Sequence, residues 1–268
     1  MNEIVKSIIL GVVEGITEFL PISSTGHLII VNRFVDFTGS FAYLFDIVIQ
    51  LGAILSVVVY FRTRLFPFGG DITAEKKKEI FDLWKKSILG VVPAMVIGLL
   101  GGKFIKEYLF NPTTVAIALI AGGVILIYLE SRKRESTINT IAELTYRNAF
   151  IIGIIQCLAM IPGTSRSAAT IMGAMFIGAS RLVAAEFSFF LAVPTMCAAS
   201  AYSLLKADRA LTTEQVIVLA VGFAVSFIVA LAVIAGFMKF ITRRDFKLFG
   251  YYRIVLGIGV LIYFLLAK

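Results

Sequence analysis

Glu14-Gly-Ile-Thr-Glu-Phe-Leu-Pro-Ile-Ser-Ser-Thr-Gly-His27 places two carboxylates, the hydroxyls of Ser23, Ser24 and Thr25, and the only histidine of the chain inside otherwise apolar sequence. An ionisable side chain at membrane depth costs roughly 3 kcal/mol on insertion scales, so a segment that carries several is expected to use them. Pro21 through Gly26 also interrupts the apolar run 2–35 in its middle. Irregular backbone at that depth is tolerated only where it is buried in protein or lines a cavity. The run therefore reads as a re-entrant helix–loop–helix hairpin.

The rest of the chain agrees with a membrane setting. Of its 268 residues, 59% are hydrophobic, against roughly 45–50% in soluble domains, and the mean hydropathy is +0.94. Six further segments, about 42–61, 87–105, 113–130, 183–205, 214–238 and 249–267, are apolar over the length of about 17–25 residues that crosses hydrocarbon. A second region, 146–179, is broken at Pro162 and Gly163 and reads as a second re-entrant hairpin. The expected fold is an all-α polytopic membrane protein, a single integral membrane domain over 1–268. The alternating ten-residue strands of a membrane barrel are absent. The first apolar run does not read as a signal peptide, because Glu14 and Glu18 interrupt it and no small-residue cleavage site follows. The net charge of +8 does not call for nucleic acid, because the basic residues fall in short connections where membrane topology explains them. Cys157 and Cys197 lie in apolar sequence without metal-ligand spacing and read as small buried hydrophobes.

The two halves, about 1–130 and 146–268, echo one another. Gly11-Val-Val-Glu14 returns as Gly153-Ile-Ile-Gln156, and Pro21-Ile-Ser-Ser24 as Pro162-Gly-Thr-Ser165 after a one-residue slip. Each half runs broken hairpin, then three spans. Basic residues concentrate in 62–86, 131–147 and 239–253, the last including Lys239, Arg243, Arg244, Lys247 and Arg253. With these connections in the cytoplasm, the first hairpin enters from outside and the second from inside. Inverted repeats whose broken helices meet near the midplane are a transporter architecture. Here they would bring loops 21–27 and 162–170 to one site. The 62–86 loop contains a helix-like polar run from Thr73 to Lys86, and it reads as a solvated, orienting loop.

Glu14 and Glu18, four apart, share one helical face and suit either a divalent cation or a proton-transfer pair. Ser23, Ser24, Thr25 and Gly26 form a turn whose amides and hydroxyls can cradle phosphate oxygens. A serine three residues from His27 could be an activated nucleophile, and His27 titrates near physiological pH. In the second loop, Arg166 is a permanent cation surrounded by Thr164, Ser165, Ser167 and Thr170. A guanidinium is the preferred planar donor to phosphate, or it could pair with Glu14 or Glu18 to hold the hairpins together. Gln156 is expected to contact the partner loop. An anion clamp, acid–base groups and a hydroxyl nucleophile together fit phosphoryl transfer, and the apolar surroundings suit a lipid phosphate or diphosphate.

The motif Glu14 to His27, with Pro162-Gly-Thr-Ser-Arg-Ser167, resembles the bacitracin-resistance family of undecaprenyl-diphosphate phosphatases over essentially the whole chain. The resemblance implies hydrolysis of the C55 isoprenyl diphosphate to the monophosphate and inorganic phosphate, which recycles the lipid carrier for cell-wall synthesis. It also implies bacitracin resistance, stimulation by a divalent cation (Mg2+ or Ca2+, on Glu14 and Glu18), and a multi-pass protein of the bacterial inner membrane with an outward-facing site. Homodimer formation is left open. Glu18, His27 and Arg166 match the family's essential positions. Glu14, Ser23, Ser24, Thr25, Ser165 and Thr170 match supporting ones, with Ser24 and His27 competing as nucleophile and water as a third choice. Ala168 stands where the family pattern has glycine, which adds a methyl and removes no functional group. A lipid phosphatase built on two histidines is excluded by the single histidine. A lipid flippase with inverted repeats is the alternative from another class.

Overall fold

The computed structural model describes residues 1–68, 72–132, 135–206 and 211–266. Lys133 and Arg134 of the basic connection, and residues 207–210 of the loop 206–213, lie outside them. The described residues are helical almost throughout: α1 (Glu3–Thr17), α2 (Ser24–Val35), α3 (Ser40–Tyr60), the short α4 (Arg62–Leu65), α5 (Ala74–Leu109), α6 (Pro112–Ser131), α7 (Tyr146–Gln156), α8 (Arg166–Phe176), α9 (Arg181–Lys206), α10 (Thr213–Ile241) and α11 (Lys247–Leu266). Helices α3, α5, α6, α9, α10 and α11 are long and apolar enough to cross a membrane, which makes this a multi-pass membrane fold. With 15 and 11 residues at 1.5 Å each, α1 and α7 reach only about 22 and 17 Å, short of the roughly 30 Å of hydrocarbon. Each is followed by a turn and a second short helix, as expected of hairpins that enter a membrane without crossing it.

Several helix pairs have counterparts on exchange of the halves. Helix α10 lies against α1 and α3, and α5 lies against the corresponding α7 and α9. Helices α6 and α11 pack on each other, as do α3 and α9. Glycines permit the closest crossings. A Cβ at Gly11 of α1 would sit 2.9 Å from the carbonyl oxygen of Gly222 on α10. A Cβ at Gly153 of α7 would collide with the backbone of Gly90 on α5. The main core cluster is aromatic, with Phe19, Phe61, Phe189, Phe190, Phe237 and Phe246 all buried.

Two expectations are corrected. The run Thr73–Lys86 is helical as its pattern suggests, but it belongs to a long span and not to a connecting loop. Thr73 caps α5 by accepting from the Lys76 amide, and the charged residues form the first turns of a 36-residue helix. At about 54 Å that helix outreaches the bilayer core, so its polar end can stand in water while its apolar part spans. Even there Lys86 is buried, ion-paired to Asp82 at 2.6 Å and set against the Tyr146 ring. Arg253, counted with the loop charges, lies inside α11 and is fully buried.

Candidate active site

The first hairpin turns because α1 runs out of donors. It ends at Thr17, Glu18 occupies the C-cap, and Pro21 lacks an amide hydrogen and cannot continue the ladder. The chain re-enters a helix at Ser23, whose φ of 74° is left-handed and whose hydroxyl accepts from the Gly26 amide at 3.3 Å. The second hairpin repeats the device. After Pro162 and Gly163 (φ 91°), Ser165 starts α8 with φ 68° and accepts from the Ala168 amide at 3.2 Å. Left-handed serines are costly and concentrate where the surrounding structure uses the geometry. The methyl of Ala168 is accommodated, being fully buried beside this cap.

The two turns meet. Ser24 Oγ donates to Glu18 Oε2 at 2.6 Å, and Arg166 Nη2 donates to the other oxygen of the same carboxylate at 3.3 Å. The Arg166 side chain is 11% exposed and that of Glu18 6%, so this ion pair is shielded from water. Arg166 Nη1 also donates to the Ser188 carbonyl at 3.1 Å, and the guanidinium lies over the Phe19 ring. Its Nε is buried without a hydrogen-bond partner. Thr170 supports the turn, exchanging a 2.6 Å hydrogen bond with the Ser188 hydroxyl and donating to the Arg166 carbonyl at 2.9 Å. Ser167 ties the hairpins together by donating to the Leu20 carbonyl at 2.9 Å, with Ser165 Oγ 3.0 Å from its hydroxyl.

His27 is gripped from two sides. Its Nδ1 is 2.7 Å from the Ser23 carbonyl oxygen. A carbonyl only accepts, so Nδ1 carries a proton. Nε2 lies 2.7 Å from the Tyr252 hydroxyl, and the neutral ring accepts from it there. The two rings stand nearly parallel, 5.6 Å apart.

The carboxylates do not face water. Glu14 is 1% exposed and lies beside Glu18, with Asp46 of α3 the next acid near it. Glu14 Oε2 and Asp46 Oδ1 are buried without hydrogen-bond partners. Among the described residues no group of three or more His, Cys, Asp or Glu side chains could hold a metal by itself. The open oxygen of Glu14 nevertheless fits a Mg2+-like ion that takes one or two carboxylates and completes its shell with water and substrate phosphate. Glu18, with both oxygens engaged, fits less well.

Some expected residues stand apart. The amide of Gln156, expected against the partner loop, exchanges 3.4 Å hydrogen bonds with Thr195 of α9. Thr25 is exposed and Thr164 half-buried. Thr164 borders an apolar cavity of about 800 Å³ between α6, α7 and α8, whose wall includes Ile117, Ile125, Ile155, Leu158 and Met172. Ser188, Tyr252 and Arg253 were not foreseen. Tyr252 and Arg253 belong to a span far along the chain from the residues they contact, and Ser188 to the span that follows α8; the only outward signs were a hydroxyl within Phe187-Ser-Phe-Phe190 and a cation within the last apolar run.

The profile of a family described as Bacitracin resistance protein BacA matches residues 7–259. The chain is 52% identical to Undecaprenyl-diphosphatase 1 of Clostridioides difficile (strain 630), over 98% of this chain and 97% of that one. It is 49% identical to the Undecaprenyl-diphosphatase of Enterococcus faecalis, over 97% and 96%. It is also 49% identical to the Undecaprenyl-diphosphatase of Thermoanaerobacter sp. (strain X514), over 100% and 98%. With the hairpin motifs in place and likeness running from end to end, the chain belongs to the bacitracin resistance protein BacA family.

Proposed function

We infer that this protein is an undecaprenyl-diphosphate phosphatase, which hydrolyses the lipid diphosphate to the monophosphate and inorganic phosphate and so belongs to the bacitracin-resistance class of enzymes. The observation that carries the reading is the Ser24–Glu18–Arg166 contact. A hydroxyl sits 2.6 Å from a buried carboxylate that is itself paired to a cation from the opposite hairpin.

The chemistry follows from those partners. Arg166, with an unused Nε–H, clamps the terminal phosphate and neutralises the charge that spreads over its oxygens in the transition state. Glu18 takes the Ser24 proton as Oγ bonds to the terminal phosphorus. The bridging P–O bond breaks, and the electron pair leaves with the polyprenyl monophosphate. Water then attacks the phosphoserine, losing its proton to the site as the Ser24 hydroxyl reforms, and inorganic phosphate departs. One water is consumed overall. His27, held in one tautomer by Ser23 and Tyr252, attends the leaving-group oxygen. A divalent cation, held by Glu14 and by substrate oxygens, would supply further charge neutralisation. The 800 Å³ apolar cavity reaching Thr164 offers the isoprenyl tail a seat beside the second turn.

With the basic connections 62–86, 131–147 and 239–247 in the cytoplasm, the first hairpin would enter from the outer side of the bacterial plasma membrane, and the halves would form an inverted repeat. The test is phosphate release by the purified protein in detergent with undecaprenyl diphosphate as substrate. One phosphate per lipid is expected. Transport of the lipid without phosphate release would overturn the assignment.

A further inference from the structure

Arg253 is the largest fully buried side chain in the molecule, and it has no carboxylate partner among the described residues. Its guanidinium instead donates to four main-chain carbonyls: Nη1 to Pro21 at 3.2 Å, Nη2 to Gly163 at 3.2 Å and to Ala118 at 3.1 Å, and Nε to Leu119 at 3.4 Å. Two of these carbonyls belong to α6. The other two belong to the turns of the two hairpins, the turns that carry Ser24 and Arg166 into the site.

Burying an unpaired cation is expensive. Four carbonyl dipoles offset that cost only while all four stay in place, which makes the guanidinium a constraint on the spacing of the segments that supply them. A planar fork of five N–H donors can bridge three segments at once, whereas an ammonium on a flexible stem cannot. The surroundings are shaped for it. A Cβ at Gly122 of α6 would sit 2.9 Å from Arg253 Cζ, so only glycine leaves room for the planar group. At Gly163, φ of 91° and contact with the Val115 backbone press the second turn against α6 just where Arg253 reaches it. Ser167 and Arg166 tie the turns at the catalytic face, and Arg253 ties them behind it.

We propose that Arg253 is a positioning residue: it fixes the first hairpin's turn against the second and so holds Ser24 and Glu18 in line with the phosphate clamp, without touching substrate. This rests on the phosphatase reading above. In-line transfer is sensitive to such spacing, a displacement of about 1 Å costing on the order of 100-fold in rate.

The test compares wild type, Arg253→Lys, Arg253→Ala and Gly122→Ala, purified in detergent, for thermal midpoint and for kcat and KM of phosphate release from undecaprenyl diphosphate. Arg253→Lys and Gly122→Ala are expected to remain folded and to lose on the order of 100-fold in kcat with KM changed less than about threefold. Arg253→Ala, which leaves the space of the guanidinium open, is expected to be weaker still and to regain activity with added methylguanidinium, which a general loss of packing would not allow. Near wild-type kcat in Arg253→Lys and Gly122→Ala would overturn the proposal. So would unfolding of both, which would make Arg253 an anchor of the fold alone. If wild type released no phosphate, the functional reading would fail instead, and the two failures are therefore distinct.

Discussion

The two hairpins share a scaffold and differ in chemistry. In each, a short first helix packs through a glycine on a span of the other half: Gly11 on Gly222, and Gly153 on Gly90. In each, the second helix begins at a serine held at positive φ that caps its own third amide, Ser23 over Gly26 and Ser165 over Ala168. The residue after that serine is Ser24 in one and Arg166 in the other. Three residues after the packing glycine stands Glu14 in one and Gln156 in the other. One copy of the scaffold presents a hydroxyl bonded to a buried carboxylate, and the other presents the cation paired to that carboxylate. The strained turn delivers whatever follows it to the same central point, so the halves can specialise without altering the frame.

Exchanging the specialised residues should break the site most severely. Arg166→Ala is expected to reduce kcat for phosphate release by about a thousandfold, because the clamp is lost and Glu18 is left buried without its cation. Arg166→Lys should rescue it only in part, since one ammonium cannot serve Glu18, Ser188 and phosphate together. Substituting the shared frame should act on stability rather than chemistry. Gly153→Val, which drives a branched side chain into the Gly90 backbone, is expected to lower stability by roughly 1–3 kcal/mol, read as a fall in thermal midpoint in detergent. Gly11→Val should do the same on the other side, and equal effects would sharpen the likeness of the two frames.

Smaller effects test the supporting contacts. Tyr252→Phe removes the hydroxyl that meets His27 Nε2. A hydrogen bond is worth about 1 kcal/mol, so a loss of roughly fivefold in kcat is expected, with KM little changed. Gln156→Ala is expected to stay within about twofold of wild type, because its 3.4 Å contacts are to Thr195 and each is worth at most about 1 kcal/mol. A large loss there would mean that the second hairpin contributes more than its clamp.

Much of this was legible in the sequence. Pro21 and Pro162 gave away the breaks because proline ends a helix by local chemistry alone. Arg166, Glu18 and Ser24 stood out because polar groups are rare at such depth. What remained hidden depends on distant packing. Ser188 is an ordinary hydroxyl in a phenylalanine-rich span until α8 lays Arg166 and Thr170 against it. Arg253 looked like an orienting charge at the head of the last span, and only the turn of α11 toward α6 buries it behind both hairpins. The Thr73–Lys86 run is helix-like in sequence but reads as part of a loop by charge, and its Thr73 cap in fact starts the 36-residue α5. Which half of a repeat a residue serves is a property of the assembled pair, and no single segment carries it.

The most direct measurement traps the intermediate. Undecaprenyl diphosphate labelled on its terminal phosphate is mixed with the enzyme, quenched in denaturing detergent at neutral pH within the first turnover, and the labelled peptide is mapped and tested for acid stability. The expected result is an acid-stable phosphoserine at Ser24 that disappears in Ser24→Ala together with turnover. An acid-labile phosphohistidine at His27, or full activity in Ser24→Ala, would contradict the account.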